Sequence, residues 1–156
     1  MKKTNHLSSD VKQKIYKYCA YQERTHHEVR NKLYEYGLGS DDVDQLITQL
    51  IGEGYLNEER FAKSFVGGKF RIKGWGRIKI IHELEAKGLT RNCIALGLKE
   101  IDETDYVETL QTLLKKKAAV VQIDDAFVRR DKIARYAIQK GFEPELVWRW
   151  IKEIDL

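Results

Sequence analysis

The chain has 156 residues, 42% of them apolar and 33% charged, which suits a folded protein with an apolar core and a strongly ionic surface. Its formal net charge of +4 at pH 7 allows a nucleic acid or an acidic protein as partner without requiring either. The N-terminal segment lacks the apolar stretch of a signal peptide, and no apolar run approaches the roughly 20 residues of a membrane span, so we expect a cytoplasmic protein outside the membrane.

The two cysteines indicate a reducing compartment. Cys19 falls within an apolar helical pattern, Cys93 stands at the start of another, and no CxxC spacing is present. A disulfide framework is therefore not expected.

Apolar residues recur at spacings of three and four along almost the whole chain, which is typical of amphipathic helices. Few runs alternate apolar and polar residues, and the turn pairs of β-hairpins are missing. Proline, which interrupts helices, occurs only at Pro144. The sequence therefore predicts an all-α fold.

A pattern of helix, glycine, large apolar residue and second helix occurs three times. Its glycines, Gly37, Gly88 and Gly141, are spaced 51 and 53 residues apart. When the segments are aligned on these glycines, apolar residues coincide at several positions on both sides, at spacings that follow one face of a helix. The chain is thus predicted to contain a threefold internal repeat.

The glycine of each repeat is expected to end a helix, because glycine adopts the left-handed conformation after a helix without a Cβ clash. In the first repeat, Thr25-x-x-Glu28 has the pattern of a capping box that begins the preceding helix. Ser40-Asp-Asp and Thr90 are the expected caps of the helices that follow the first two glycines, and Glu143–Pro144 is expected to start the third, with Pro144 at the first helical position.

Each repeat also has an amphipathic helix ahead of this pair, at about residues 10–21, 58–66 and 105–117. The predicted architecture is three tandem three-helix units, over residues 8–54, 55–102 and 103–156. Units of this size bury too little apolar surface to be stable alone, so they should pack on one another. We expect an elongated, curved monomer.

The middle unit contains a block with unusual composition, since residues 60–81 include seven basic residues and no acidic ones. Gly67–Gly68 falls within it, and glycines let a backbone approach a partner closely. Trp75, between two glycines, is predicted to be an exposed aromatic side chain. The candidate binding residues are Arg60, Lys63, Lys69, Arg71, Lys73, Trp75, Arg77 and Lys79.

Basic groups beside an aromatic ring suit contact with phosphates and bases, and they suit an acidic protein groove equally well. The alternative is a solvated helix face with a tryptophan packed on its own unit. We favour binding, because acidic residues are plentiful elsewhere and absent here. A second basic zone, over residues 115–117 and 129–140, is diluted by acidic residues, and we interpret it as a solvated face.

The sequence offers little for catalysis. No HExxH or other metal-ligand spacing is present, and neither cysteine lies in a nucleophile motif. Gly67–Gly68 lacks the downstream Gly-Lys-Ser/Thr of a phosphate loop. We therefore expect a binding protein that is not an enzyme and has no metal or cofactor.

Each unit carries short motifs that together resemble a known family. The middle unit contains Leu56-Asn-Glu-Glu-Arg60-Phe-Ala62, Phe65-Val66, Lys73-Gly-Trp-Gly76, Ile80, Glu83-Leu84 and Lys87-Gly-Leu89. The outer units contain Cys19-Ala-Tyr21, Arg24-Thr25, Glu28-Val29, Lys32-Leu33, Gly37-Leu38, Ala134-Arg-Tyr136 and Lys140-Gly-Phe142. This set, over about residues 11–154, resembles the RecX family, which are bacterial regulators of the RecA recombinase.

The resemblance implies three repeats of a three-helix unit, in agreement with the glycine spacing. It also implies that the chain binds in the groove of the RecA filament on single-stranded DNA, inhibits strand exchange, co-protease activity and ATP hydrolysis, and promotes net filament loss. The RecA filament is then the expected partner, and DNA, single- or double-stranded, is a second one. The alternative function is a stand-alone nucleic-acid-binding module that uses residues 60–81.

Overall fold

The computed structural model describes residues 9–154, and all regular secondary structure in this range is helical. The helices form three consecutive groups of three, which we call the first, middle and third units. They are α1 (Ser9–Tyr21), α2 (His26–Glu35) and α3 (Ser40–Gly52), then α4 (Glu58–Arg71), α5 (Arg77–Ala86) and α6 (Arg91–Leu98), then α7 (Glu103–Val120), α8 (Ala126–Gln139) and α9 (Pro144–Ile151). The predicted all-α fold of three three-helix units is confirmed.

The repeated glycines end helices as predicted. Gly37, Gly88 and Gly141 have φ angles of 92°, 85° and 106°, in the left-handed region that favours glycine. At the first of these turns the Gly37 N–H donates to Tyr34 O at 2.9 Å, and the Leu38 N–H donates to Leu33 O at 3.3 Å. These paired bonds satisfy carbonyls at the end of α2 and fold the next apolar residue back onto the helix.

The helix starts agree with the predicted caps, with one exception. The Glu28 N–H donates to Thr25 Oγ1 at 3.0 Å and the Thr25 N–H donates to Glu28 Oε1 at 2.9 Å, which completes the predicted capping box. Thr90 likewise caps α6, and Pro144 is the first residue of α9. The expectation for Ser40 was wrong, because Gly39 is already extended at the cap position and Ser40 lies inside α3.

The first helices of the middle and third units are longer than predicted. Helix α4 continues through Gly67 and Gly68 to Arg71, and α7 covers residues 103–120. The glycine pair does not interrupt α4, because Val66 and Phe70 on either side are buried in the core. Helix α4 therefore runs past its predicted end near residue 66, and the chain turns only after Ile72.

The apolar residues form two separate cores. One lies within the first unit and includes Ile15, Leu33 and Leu50, all fully buried. The other is shared by the middle and third units and is continuous from Phe61 to Ile151. Inside the middle unit α4 and α6 cross closely, since a Cβ at Gly97 would lie 2.9 Å from the Cβ of Ala62.

The two joints between consecutive units are related by the repeat. In each joint, the first residue of a unit's second helix contacts the first residue of the next unit's first helix. His26 donates its N–H to Glu58 Oε2 at 2.8 Å, and at the equivalent positions the Arg77 guanidinium pairs with Glu103. The second joint also has an aromatic contact. The ring of Tyr106 packs between those of Phe70 and Phe142, with centroid distances of 5.7 and 5.1 Å.

Candidate interaction surface

The predicted basic block divides into side chains that join the units and side chains that remain available. Arg60 belongs to the first group. Its Nε donates to Glu23 Oε2 at 2.6 Å, and its Nη2 donates to the Gly54 carbonyl at 2.9 Å. Glu23 follows α1, so Arg60 connects the middle unit to the first.

Arg77 also joins two units, because its side chain contacts the third unit. Its guanidinium lies 3.8 Å above the ring of Tyr106, with Nη1 donating to Glu143 Oε2 at 2.9 Å and Nη2 paired with Glu103. Burial opposes the charge, but the hydrogen bond and charge of Glu143, with Tyr106 and Glu103, outweigh it and raise the pKa of Arg77. The positive charge of Arg77 is thus neutralised within the joint.

Tyr106 completes this network from the start of α7. Its buried hydroxyl donates to Glu143 Oε1 at 2.6 Å and accepts the backbone N–H of Arg77 at 2.9 Å. Burial, and then the hydrogen bond to the Glu143 carboxylate, raise the pKa of Tyr106 above its ordinary value. Both carboxylate oxygens of Glu143 are therefore satisfied by the middle and third units together.

Trp75 differs from the expectation, since its side chain is half-buried and packs against the shared core. Its ring meets that of Phe65 edge-on, with centroids 6.4 Å apart. The ammonium groups of Lys69 and Lys79 lie 4.8 and 4.4 Å from the Trp75 ring centroid, and that of Lys87 lies 5.6 Å from the Phe65 centroid. We call these five residues the aromatic–lysine cluster.

The aromatic–lysine cluster concentrates positive charge on two packed rings. In the described part of the chain, none of its three lysines forms an ion pair with a carboxylate. These residues are half-buried, and each cation over a ring contributes about 0.5–2 kcal/mol between exposed and desolvated sites, so the rings hold the ammonium groups in place. An anionic partner would meet three positioned charges here, with the two rings beneath them.

The remaining block residues lie on α4 and just beyond it. Lys63 and Lys73 are exposed, and Arg71 donates weakly to the Glu100 carbonyl at 3.4 Å. Gly67 does not provide access for a partner as expected. A Cβ there would lie 2.3 Å from Arg71 Nη2, because the Arg71 side chain covers this glycine.

Two cluster residues, Phe65 and Lys87, were not among the candidates. Phe65 could have been found from helix geometry, because it lies four residues before Lys69 on the same helix face. Lys87, at the end of α5, is brought to Phe65 by the packing of α5 on α4. A groove that Arg71 and Lys73 line with Lys116, Lys117 and Lys140 was also missed. That juxtaposition depends on how the third unit packs, so no local pattern indicates it.

Two other features are absent from residues 9–154. No three His, Cys, Asp or Glu side chains in this range are arranged to hold a metal ion. Within the same residues, none of the helices is both long and apolar enough to cross a bilayer.

The fold and this surface define an all-helical repeat protein with a cationic surface on its middle unit. Three models of one family match the chain in order: RecX, first three-helix domain, over residues 12–50, RecX, second three-helix domain, over 57–98, and RecX, third three-helix domain, over 103–151. The chain therefore belongs to the RecX family.

Individual relatives agree with this assignment. Regulatory protein RecX of Pseudomonas fluorescens is 30% identical over 129 residues, which cover 83% of this chain and 81% of the relative. That of Clostridium perfringens strain 13 is 30% identical over 77% of this chain, and the match spans only 57% of the relative. The crystal structure of RecX from Lactobacillus salivarius is 28% identical and superposes with a TM-score of 0.82, covering 93% of this chain and 97% of that one.

Proposed function

We propose that this protein is a negative regulator of a RecA recombinase. It binds the RecA filament on single-stranded DNA, inhibits strand exchange, co-protease activity and ATP hydrolysis, and so regulates DNA repair and recombination. It acts in the cytoplasm as a monomer and by binding alone, without an enzymatic reaction of its own. The observation that carries the proposal is the ordered match of all three units to domains of a family whose relatives are named regulatory protein RecX.

The charge distribution of the middle unit supports this function. Among the described residues, five of the seven basic residues in the 60–81 block form no ion pair with a carboxylate. They are Lys63, Lys69, Arg71, Lys73 and Lys79. A filament on DNA presents phosphates and the acidic side chains of its subunits, and both attract such a surface.

The repeat supports a mechanism by multivalent contact. Three linked units can touch several neighbouring protomers of a helical filament, which raises the overall affinity without any single deep pocket. Such a ligand shifts an assembly equilibrium only as far as its affinity differs between the assembly states. Occupying the filament groove would also exclude a second DNA strand, which accounts for inhibition of strand exchange.

The test is ATP hydrolysis and strand exchange by the cognate RecA on single-stranded DNA. We expect inhibition at substoichiometric amounts of this protein. Reversing two charges of the aromatic–lysine cluster with Lys69→Glu and Lys79→Glu should raise the half-inhibitory concentration for RecA about tenfold, equivalent to about 1.4 kcal/mol. The matched control is Lys17→Glu with Lys132→Glu, two exposed lysines of the outer units, which should change it less than about twofold. Absence of inhibition by the wild-type protein at every ratio would refute the proposal.

The second candidate is a stand-alone nucleic-acid-binding module, which the position of Trp75 between Lys69 and Lys79 favours. If four to six basic groups meet phosphates, the logarithm of the affinity for naked DNA should fall with the logarithm of salt concentration at a slope of about −3 to −5. Replacing Arg71, Lys73 and Lys79 with Glu should then abolish binding; Arg77 is left unchanged because it joins the middle and third units. A flat salt response, or binding only in the presence of RecA, would reject this candidate.

A further inference from the structure

A groove of about 740 Å³ lies between the middle and third units, apart from the aromatic–lysine cluster. One wall is the end of α4 with the turn after it, including Ile72 and Lys73. The other is one face of α7, and Tyr136 and Lys140 of the third unit close it. The residues of α7 that line it are Asp105, Glu108, Thr109, Thr112, Leu113, Lys116, Lys117 and Val120.

The residues of α7 that line the groove have the spacing of a helix face that packs against another helix. They recur every three or four positions, which places them in one stripe along α7. From Asp105 to Val120 the stripe is about 22 Å long at 1.5 Å per residue, or four turns. A partner helix of similar length could lie along it in full.

The groove exposes large aliphatic side chains on both walls. Ile72 is 82% exposed and Val120 is 67% exposed, while Leu113, which also lines the groove, is half-buried. Single exposed apolar residues are ordinary on protein surfaces, but here two of them line one concavity. Burying them against apolar side chains of a partner would be favourable at about 25 cal/mol per Å².

Charge is segregated along the groove. Asp105 and Glu108 lie at the start of α7, whereas Lys116 and Lys117 lie toward its end. Lys140, just after α8, faces the turn that follows α4, with its ammonium 3.4 Å from the Lys73 carbonyl oxygen. A complementary helix would therefore combine an apolar stripe with acidic residues against the lysines.

A nucleic acid fits the groove less well than a helix. Bases bind to open aromatic faces, but of the two rings that line the groove, Phe70 is 5% exposed and the ring of Tyr136 is covered by the Lys117 ammonium at 4.2 Å. Asp105 and Glu108 would also repel a phosphate backbone that continued along α7. Aliphatic contacts with segregated charges are instead typical of helix-in-groove recognition.

We infer that this groove binds an amphipathic, acidic helix of the recombinase. The inference rests on the proposed function, because the helix belongs to that partner, and it assigns the protein contact to the groove rather than to the aromatic–lysine cluster. It also gives the second basic zone a role, where the sequence alone favoured a solvated face.

The test compares matched variants in the RecA ATPase assay. Ile72→Ser with Val120→Ser should raise the half-inhibitory concentration about tenfold or more, since two apolar contacts are lost. The control is Phe127→Ser with Val128→Ser, which removes apolar side chains that are 78% and 49% exposed and lie outside the groove. We expect the control to inhibit as the wild-type protein does.

A photo-cross-linking residue at position 120, in an otherwise wild-type chain, identifies the occupant directly. On the filament it should form a cross-link to an acidic helical segment of RecA, and the same residue at position 127 should not. Cross-links to DNA or to a non-acidic segment, or full inhibition by the Ile72→Ser, Val120→Ser protein, would overturn the inference and leave the proposed function standing. If the wild-type protein fails to inhibit RecA, both fall together.

Discussion

The backbones of Gly76 and Gly141 are in direct contact across the joint between the middle and third units. The Gly76 N–H donates to the Lys140 carbonyl at 2.8 Å, and the Ile78 N–H donates to the Gly141 carbonyl at 2.9 Å. A Cβ built on Gly76 would lie 2.3 Å from the carbonyl carbon of Gly141. No side chain fits between these two backbones, so this pair sets how closely the two units approach.

Gly76→Ala should therefore destabilise the protein by about 1–3 kcal/mol, because the added methyl group forces the units apart. The matched control is Gly68→Ala, at a helical position where a Cβ would meet nothing within 4 Å. There alanine should be neutral or stabilise by up to about 1 kcal/mol through helix propensity. Urea unfolding measures both, and equal stability of Gly76→Ala and wild type would contradict the close approach.

Tyr106→Phe should lower the free energy of unfolding by about 1–3 kcal/mol. The substitution removes one donor to Glu143 and leaves the backbone N–H of Arg77 without its acceptor. The aromatic packing against Phe70 and Phe142 is retained. A variant as stable as the wild-type protein in urea would mean that water replaces both hydrogen bonds without cost.

The same tyrosine should make stability depend on alkaline pH. Its pKa is raised above the ordinary 10.0 by burial and by Glu143, so the folded protein keeps a proton that the unfolded chain loses. The free energy of unfolding should therefore fall as pH rises above about 10. Tyr106→Phe should flatten this fall, with part remaining from Tyr16, whose pKa is raised to about 12, and Cys19, at about 11. Tyr21→Phe, at an 81% exposed position, is the control that should retain it in full.

Thr25→Ala should destabilise the first unit by about 1–2 kcal/mol, since the cap of α2 loses its oxygen. Thr25→Ser should recover most of that loss because it keeps the hydroxyl. Thermal unfolding followed by circular dichroism distinguishes the three proteins. If serine proves no better than alanine, the buried Thr25 methyl group, rather than the hydrogen bond, stabilises this turn.

The two cores predict regional effects in hydrogen exchange. Leu33→Ala, in the core of the first unit, should cost about 2–5 kcal/mol and increase exchange over residues 9–52. Amides of residues 58–151 should keep their protection, because they belong to the other core. Ile80→Ala should instead increase exchange in both the middle and third units. Uniform loss of protection in either variant would indicate one cooperative unit.

Features signalled by neighbouring residues were predictable from the sequence, and features that depend on the packing of units were not. The glycine turns and the capping box at Thr25 arise from bonds between residues three to five positions apart. Arg77, by contrast, pairs with Glu143, 66 residues later in the chain. Its place in a basic block gave no sign that its charge is neutralised within the joint.

Trp75 shows the same limit. Two flanking glycines suggested an exposed loop residue, but the turn after α4 folds its ring back onto Phe65 and the shared core. The expected pairing of basic and aromatic groups is nevertheless present, because Lys69 and Lys79 lie over that ring. Composition thus indicated the chemistry of the surface, while only packing shows which face presents it.

The three repeated glycine turns have similar backbone conformations but differ in the space that they leave for a side chain. A Cβ at Gly37 or Gly88 would meet open space, whereas one at Gly141 would lie 2.5 Å from the Cβ of Lys79. Asparagine, which accepts the left-handed conformation better than other side chains, can therefore replace the first two glycines at modest cost. Position 141 admits glycine alone. The three units of the repeat are therefore not interchangeable at this one backbone position.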